Sequence, residues 1–264
     1  MKQLAEFPGA ARARIRGVFC DIDDTLTTGG KLTAAAYAAL EALQRAGLLV
    51  VPITGRPAGW CDQIARMWPV HAVVGENGAF YFRYDHAARR MRRRYVDDAA
   101  TRAGNRERLP AIGDRILELV PGSAVASDQH YRAADLAIDY CEDVPPLPLE
   151  AAGRIAELMR ADGLTAKISS IHVNGWFGSY DKLAMCRLLF AERFGISAEI
   201  LQRDFAFAGD SPNDAPMFAF FENAVGVANV ARFAGIMDAE PKYVTRGFAG
   251  SGFAELAAHL LGAR

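Results

Sequence analysis

Carboxylate side chains follow two apolar segments of this 264-residue chain, one near each end. They are Asp21, Asp23 and Asp24 after the segment Ile15–Cys20, and Asp210 and Asp214 after the segment Phe205–Ala208. Ligands of open α/β sheets bind beyond the carboxyl ends of the strands, so two acidic strand ends in one sheet would face the same crevice. Because Mg2+ prefers oxygen ligands, the two clusters predict a Mg2+ site that can also hold a phosphate oxygen.

An acidic turn that caps a helix is the alternative for the first cluster, since ion-pair networks also place carboxylates at strand ends. The second cluster, in the turn Gly209–Asp214, makes that alternative less attractive. A zinc site is disfavoured because the four cysteines lie far apart and show no Cys/His ligand spacing. The same spacing argues against a disulfide framework and indicates a reducing compartment.

Two further polar positions can complete a phosphate-binding site. Thr54 ends another apolar segment with a hydroxyl, and the turn after it offers amides that could hold phosphate oxygens. Capping of the next helix is a second role for Thr54, compatible with the first. Lys182 opens a predicted helix, where a cation is unfavourable unless an anion faces it. The alternative for Lys182 is an ordinary solvent-exposed lysine.

Apolar strands and helices alternate at both ends of the chain, a pattern typical of a doubly wound parallel sheet in an α/β fold. The predicted strands are Ile15–Cys20, Leu48–Ile53, His71–Val74, Phe205–Ala208 and Ala224–Val227. The predicted helices are one that Thr33 caps and that runs through Gln44, one that begins near Pro57, and Lys182–Phe194, which Gly195 ends.

The middle of the chain departs from this alternation. Its predicted elements are a hairpin of Ala79–Tyr84 and Met91–Val96, a helix before Pro121, a strand Leu136–Cys141, a helix Leu149–Asp162 and a strand Leu164–Asn174. The chain is therefore expected to divide into a discontinuous core of residues 1–78 and 181–264 and an inserted α+β domain of residues 79–180.

Four ordered motifs resemble those of the haloacid dehalogenase (HAD) superfamily. They are Asp21-Ile22-Asp23-Asp24-Thr25-Leu26-Thr27, Thr54-Gly55-Arg56, Lys182, and Gly209-Asp210-Ser211-Pro212-Asn213-Asp214. The insertion lies at the position of a type 2 cap, and its α+β pattern resembles the C2B (type IIB) subclass. Gly75-Glu76-Asn77-Gly78-Ala79 and Tyr243-Val244-Thr245 are also similar to that subclass, which includes sucrose-phosphate, mannosyl-3-phosphoglycerate and Cof-type sugar phosphatases. The resemblance implies a Rossmann-like HAD core with a C2B cap.

The resemblance also implies a role for each motif residue. Asp21 would be the nucleophile that forms an aspartyl-phosphate, and Asp23 the general acid and base. Thr54 and Lys182 would bind the phosphoryl group, and Asn213 would orient Lys182 or Asp210. The implied Mg2+ ligands are Asp21, the Asp23 carbonyl, Asp210 and, through water, Asp214. Phosphate or substrate binding would further involve Gly55, Arg56 and Asn77.

An aspartate two residues after the nucleophile is typical of the phosphatases and phosphotransferases of the superfamily. Its dehalogenases and P-type ATPases lack that acid. We therefore expect a phosphoric monoester hydrolase acting on a small phosphorylated sugar or polyol. One alternative is a phosphotransferase resembling phosphomannomutase, whose arginine-containing cap motif we do not find. A noncatalytic nucleotide-binding or regulatory module is the alternative of another class, and the full set of motifs argues against it.

Substrate choice is expected to depend on the inserted domain. Ser170, His172 and Asn174 alternate along one predicted strand, so they would share a face. That face is either solvated or a polar wall above the pocket, suited to sugar hydroxyls. Trp176 and Phe177 could stack on a sugar, although packing is the commoner use of aromatic residues at a domain junction.

Charge and composition limit the partners. The formal net charge of −1 gives no general attraction to nucleic acid or membrane. Five arginines lie among residues 89–94, and we expect a solvated or internally paired face because interleaved aromatic residues and a known nucleic-acid module are missing. With neither a signal-peptide core nor a membrane-spanning segment in the sequence, we expect a cytoplasmic protein.

Overall fold

The computed structural model describes residues 1–235 and 237–263. Its strands are β1 (Lys2–Gln3), β2 (Gly17–Asp21), β3 (Thr27–Thr28), β4 (Lys31–Leu32), β5 (Leu49–Ile53), β6 (Val73–Gly75), β7 (Phe80–Asp85), β8 (Arg90–Tyr95), β9 (Ala124–Val125), β10 (Asp135–Asp139), β11 (Thr165–Ile168), β12 (His172–Trp176), β13 (Phe205–Gly209), β14 (Asn223–Gly226) and β15 (Tyr243–Val244). Its helices are α1 (Gly9–Arg14), α2 (Ala34–Arg45), α3 (Ala58–Met67), α4 (Ala99–Leu119), α5 (Leu149–Ala161), α6 (Lys182–Phe194), α7 (Ala198–Asp204), α8 (Ala215–Phe220) and α9 (Ala249–Leu261).

A nine-stranded sheet in the order β1-β15-β14-β13-β2-β5-β6-β7-β8 forms the core. Seven neighbouring strands of this sheet run parallel, namely β1, β15, β14, β13, β2, β5 and β6. Apolar clusters cover both faces of the sheet, as the continuous apolar sequences of these strands require. In this order β2 and β13 are neighbours, with Cys20 paired to Ala208. The two acidic clusters that follow these strands therefore lie side by side. The predicted doubly wound α/β core is confirmed.

The hairpin of β7 and β8 opens the segment 79–180 that the sequence assigns to the inserted domain, yet it pairs with the large sheet. β7 pairs antiparallel with β6, so the hairpin extends the large sheet at its edge. Phe80 and Phe82 of β7 are buried in the apolar cluster on one face of the large sheet. This burial stabilises the pairing of β7 with the edge strand β6. The division into residues 1–78 with 181–264 and residues 79–180 remains a proposal.

A smaller antiparallel sheet in the order β11-β12-β10-β9 lies against the crevice of the core. We call this sheet, together with α4, α5 and the loops that connect these elements, the cap. The two helices pack on one face of the sheet through a separate apolar cluster that includes Ile116, Leu136, Ile155 and Val173. Because side chains alternate along a strand, His172 and Asn174 lie on the opposite face. The expected α+β insertion is confirmed.

The single strand predicted for Leu164–Asn174 is wrong, because the chain reverses between β11 and β12. Ser169 stabilises the turn: its hydroxyl oxygen accepts hydrogen bonds from the backbone N–H of His172 at 3.0 Å and of Ile171 at 3.4 Å. Ser170 therefore lies in the turn and does not share a strand face with His172 and Asn174.

Helix ends follow their sequence signals. The Asp181 side chain caps α6 by accepting from the Ala184 N–H at 2.7 Å, and Gly195 ends the helix with a left-handed φ of 63°. Thr33 caps α2 in the same way. The predicted start of α6 at Lys182 is confirmed, which places this lysine in the first turn, facing the core.

The arginine-rich strand β8 is paired within the protein, as expected. Arg93 lies 2.6 Å from Asp62, and Arg94 lies 3.4 Å from Glu192. Across the described residues, no helix combines the length and the apolar character that crossing a membrane requires.

Candidate active site

Lys182 joins the two acidic strand ends. Its Nζ donates to Asp21 Oδ1 at 2.6 Å and to Asp214 Oδ1 at 2.8 Å. Burial alone would lower the pKa of Lys182, but Asp21 and Asp214 raise it, so the side chain is a buried cation. The first turn of α6 tolerates this charge because anions from β2 and from the turn after β13 face it.

Three buried carboxylates form a candidate metal centre. One oxygen each from Asp21, Asp210 and Asp214 lies within 4.8 Å of the others. Burial raises the pKa of Asp21 well above its usual range, and burial together with Asp214 raises the pKa of Asp210 to about 8. With all three carboxylates ionised, the site would carry more negative charge than Lys182 offsets, so a bound cation would favour the ionised form. An all-oxygen donor set with excess negative charge fits Mg2+.

Residues from a distant loop complete the surroundings of Asp210, and the sequence patterns did not identify them. Asn229 Nδ2 donates to Asp210 Oδ2 at 3.1 Å, and Arg232 Nη2 lies 3.2 Å from the same oxygen. Thr25 Oγ1 donates to Asp210 Oδ1 at 3.4 Å. Position 209 requires glycine, because a Cβ there would lie 2.4 Å from Asp214 Oδ2.

Asp23 is held by Arg56 of the second motif. Arg56 Nε and Nη2 donate to Asp23 Oδ1 at 3.0 and 2.9 Å, and Nε lies 3.1 Å from Oδ2. The far side of the same guanidinium binds Glu142 of the cap at 2.5 and 3.0 Å. Burial would raise the pKa of Glu142, but its contacts with His172 and Arg56 hold that pKa at about 2. Glu142 carried no motif signal, and only the fold brings it here.

The turn after β5 forms a cradle beside Asp21. The Thr54 hydroxyl oxygen accepts from the Arg56 N–H at 2.9 Å, and Pro57 precedes α3, so the side chain of Thr54 does not cap that helix. A Cβ at Gly55 would lie 3.1 Å from Asn77 Nδ2. This amide nitrogen is buried without a hydrogen-bond partner. A donor left unpaired at this place fits a phosphoryl oxygen as its partner.

The cap supplies the opposite wall. Ser170, His172 and Asn174 line one inner pocket with Asp21 and Asp23. His172 Nε2 lies 2.9 Å from Glu142 Oε2, and Asn174 Nδ2 donates to Asp135 Oδ2 at 3.0 Å. His172 and Asn174 are buried, so they do not form a solvated face, and the polar wall for substrate stays a prediction. The pocket offers about 10 Å³, roughly one water molecule.

Two further contacts hold the cap against the core: Arg132 has no sequence signature, whereas Glu76 belongs to the motif Gly75–Ala79. Arg132 Nη1 donates to the Gly55 carbonyl at 2.8 Å. Glu76, fully buried beside the cradle, accepts from the backbone N–H groups of Ala58 in the core and of Ala133 and Ala134 in the cap. The core and the cap therefore both help to position the cradle.

The remaining predicted positions have different contacts. Asn213 lines the pocket, and its side-chain oxygen accepts from Ser211 Oγ at 2.8 Å, so its predicted orienting of Lys182 or Asp210 stays a prediction. Trp176 stacks on Tyr180 with ring centroids 5.6 Å apart and is buried, and Phe177 packs against the cap core. The packing alternative therefore holds for both aromatic residues.

Residues 18–102 match the family of haloacid dehalogenase-like hydrolases. This match covers the first two predicted motifs and confirms the resemblance to the HAD superfamily. A search of curated proteins finds no significant match to this sequence.

Solved structures share the fold over nearly the whole chain. A Thermoplasma acidophilum protein is 16% identical with a TM-score of 0.69, over 94% of this chain and 98% of that one. Sucrose-phosphatase from Synechocystis sp. PCC6803, solved with sucrose and phosphate, is 15% identical with a TM-score of 0.63, over 93% and 98%. A HAD-superfamily phosphatase from Bacteroides thetaiotaomicron is 18% identical with a TM-score of 0.61, over 96% and 97%. At these identities the likeness shows the fold.

Proposed function

We propose that this protein, which has the fold of the HAD superfamily, is a Mg2+-dependent phosphatase that hydrolyses a small phosphorylated sugar or polyol through an aspartyl-phosphate. The observation that carries the proposal is that Asp21 and Asp23 line the same inner pocket while Lys182 binds Asp21 directly. A nucleophile, an acid and a cation are the groups that transfer of a phosphoryl group needs.

Asp21 and Asp23 divide the chemistry. An Asp21 oxygen attacks phosphorus, a bond forms between them, and the bond from phosphorus to the ester oxygen breaks. Asp23 gives its proton to the departing alkoxide and then takes a proton from water. That water attacks the aspartyl-phosphate and releases phosphate and the free Asp21 carboxylate. Arg56 keeps the Asp23 carboxyl in place through both steps.

Cations are needed because a carboxylate repels a phosphate. Lys182, already bound to Asp21, can follow the phosphoryl oxygens during transfer. Asn77 Nδ2 and the Thr54 hydroxyl add donors from the cradle. Mg2+ held by Asp21, Asp210, the Asp23 carbonyl and, through water, Asp214 would supply the remaining positive charge.

In our proposal, side chains of the cap determine which class of phosphate ester the enzyme accepts. Its wall presents a hydroxyl, an imidazole and an amide from Ser170, His172 and Asn174, which are groups suited to hydroxyl-rich ligands. Since the inner pocket holds roughly one water, the cap and the core must separate to admit substrate. The structural likeness to a sucrose-phosphatase supports the same class.

The test is phosphate release from p-nitrophenyl phosphate with Mg2+, by the wild type and by Asp21→Asn. We expect activity in the wild type and a loss of at least about a thousandfold in the variant, because the amide cannot form the ester intermediate. Asp114→Asn, on an exposed position of α4, is the matched control and should keep full activity. An undiminished rate in Asp21→Asn would refute the nucleophile. Products from sugar phosphates should contain free phosphate and no isomerised sugar phosphate.

A further inference from the structure

A second pocket continues from the inner one on the side of Asp23. It has a volume of about 270 Å³ and shares Asp23, Arg56 and Ile171 with the inner pocket. Its outer walls come from the loop between β3 and β4 and from Cys141 and Glu142 of the cap. A phosphoryl group at Asp21 would direct its leaving group past Asp23 into this space. We call it the outer pocket.

The charged residues that line the outer pocket are mostly carboxylates. Asp23, Asp24 and Glu142 face it, and Arg56 is the cation among its lining residues. Each nitrogen of that guanidinium already contacts a carboxylate: Nε and Nη2 contact Asp23, and Nη1 and Nη2 contact Glu142. The Arg56 side chain is 5% exposed, so it has no free face for another anion.

The nearby Arg232 is engaged as well. Its Nη2 lies 3.6 Å from Asp24 and 3.2 Å from Asp210. It therefore offsets charge that the protein itself supplies. A second anion on the leaving group would have to displace Glu142 from Arg56 or lie against acidic side chains, and both carry an electrostatic cost. Hydroxyl groups, in contrast, can donate to these carboxylates.

We propose that the outer pocket selects a leaving group without negative charge, and that Glu142 is the residue that determines this selectivity. The inference rests on the proposed phosphatase function and narrows its substrate class to phosphate esters of uncharged polyols and sugars. Glu142 acts by occupying the arginine that would otherwise recognise a carboxylate or a second phosphate.

The experiment compares two substrates that differ in one group. Sorbitol 6-phosphate and 6-phosphogluconate are acyclic six-carbon esters whose far ends are a hydroxymethyl group and a carboxylate. Phenyl phosphate and 4-carboxyphenyl phosphate form a second pair, which keeps the comparison measurable if polyol esters react slowly. We expect kcat/KM of the wild type to favour the uncharged member of each pair by about tenfold or more.

Glu142→Gln tests the residue. The amide keeps the size of the side chain and removes its charge, so Arg56 can pair with a substrate carboxylate, and the preference should shrink at least about fivefold. Glu150→Gln, the same change at an exposed position of α5, should keep the wild-type ratio. Circular dichroism of both variants establishes that they are folded.

The outcomes separate the two proposals. No Mg2+-dependent release from p-nitrophenyl phosphate would overturn the phosphatase function itself. Hydrolysis of p-nitrophenyl phosphate, combined with an equal or higher kcat/KM for the anionic esters, would overturn only the charge selection. An unchanged ratio in folded Glu142→Gln would remove Glu142 as its determinant.

Discussion

Arg56 binds Asp23 through two nitrogens, with Nε at 3.0 Å and Nη2 at 2.9 Å from Asp23 Oδ1. The planar guanidinium fixes the carboxyl in orientation as well as in position. The second and first motifs are thus coupled directly, although 33 residues separate the two side chains in the chain. An acid that must meet both the leaving oxygen and the attacking water depends on such a fixed orientation.

Replacing Arg56 by lysine keeps the charge and removes the two-pronged contact. We expect Arg56→Lys to lower kcat by about ten- to a hundredfold with a smaller change in KM, since the misplaced acid affects the chemical step more than binding. Steady-state kinetics with p-nitrophenyl phosphate measure this split. Arg66→Lys, at an exposed pair with Asp62, should leave both constants unchanged. A variant Arg56→Lys with normal kcat would show that Asp23 is oriented by other groups.

In the proposed mechanism, the missing side chain of Gly55 leaves space for the phosphoryl group. A methyl group there would lie 3.1 Å from Asn77 Nδ2 and 3.4 Å from Asn174 Oδ1. Gly55→Ala should therefore reduce kcat/KM by about tenfold or more while the protein stays folded. Gly153→Ala, inside α5 with no atom within 4 Å of the new Cβ, should keep full activity and raise stability by about 0.5–1 kcal/mol. Equal activities of the two variants would argue against phosphate binding in the cradle.

Asp214 is expected to support the metal site. Its Oδ2 accepts from the Asp210 N–H at 3.1 Å, and its Oδ1 accepts from Lys182. Asp214→Asn removes a charge and points an amide N–H at one of these donors, so the Mg2+ concentration for half-maximal activity should rise about ten- to a hundredfold. Calorimetric titration with Mg2+ alone gives a readout independent of turnover. Unchanged Mg2+ affinity in both measurements would exclude Asp214 from the site.

The contacts of Glu142 with His172 and Arg56 should contribute to stability in a pH-dependent way. Folding lowers the pKa of Glu142 from 4.5 to about 2, so its ionised form favours the folded state. This stabilisation is complete above about pH 5 and is lost as the pH falls toward 2. The urea midpoint of Glu142→Gln should lie below that of the wild type at pH 6, and the gap should narrow by pH 3.5. For Glu107→Gln, at an exposed position in the middle of α4, we expect no gap at either pH, and a constant gap for Glu142→Gln would contradict the linkage.

Local signals accounted for the core elements. The bounds predicted for Lys182–Phe194 match α6, since its stop, Gly195, lies next to it in the sequence; the structure adds Asp181 as its cap. The strand before each acidic cluster was also identifiable from local sequence, since a buried parallel strand is a continuous apolar run. The β7–β8 hairpin was recognisable as a hairpin, but its place was not: pairing with β6 depends on burial of Phe80 and Phe82 in a core assembled from distant segments.

The sequence by itself determined the chemical groups of the candidate site, because the proposed nucleophile, acid, cation and metal ligands lie at the ends of contiguous strands and helices. Only the tertiary structure decided which groups surround them. Glu142 reaches Arg56 across 86 residues, and Asn229 reaches Asp210 across 19, through elements that carry no motif. Such contacts depend on how the cap and the late loops pack on the core, and that packing follows from burial summed over the whole chain.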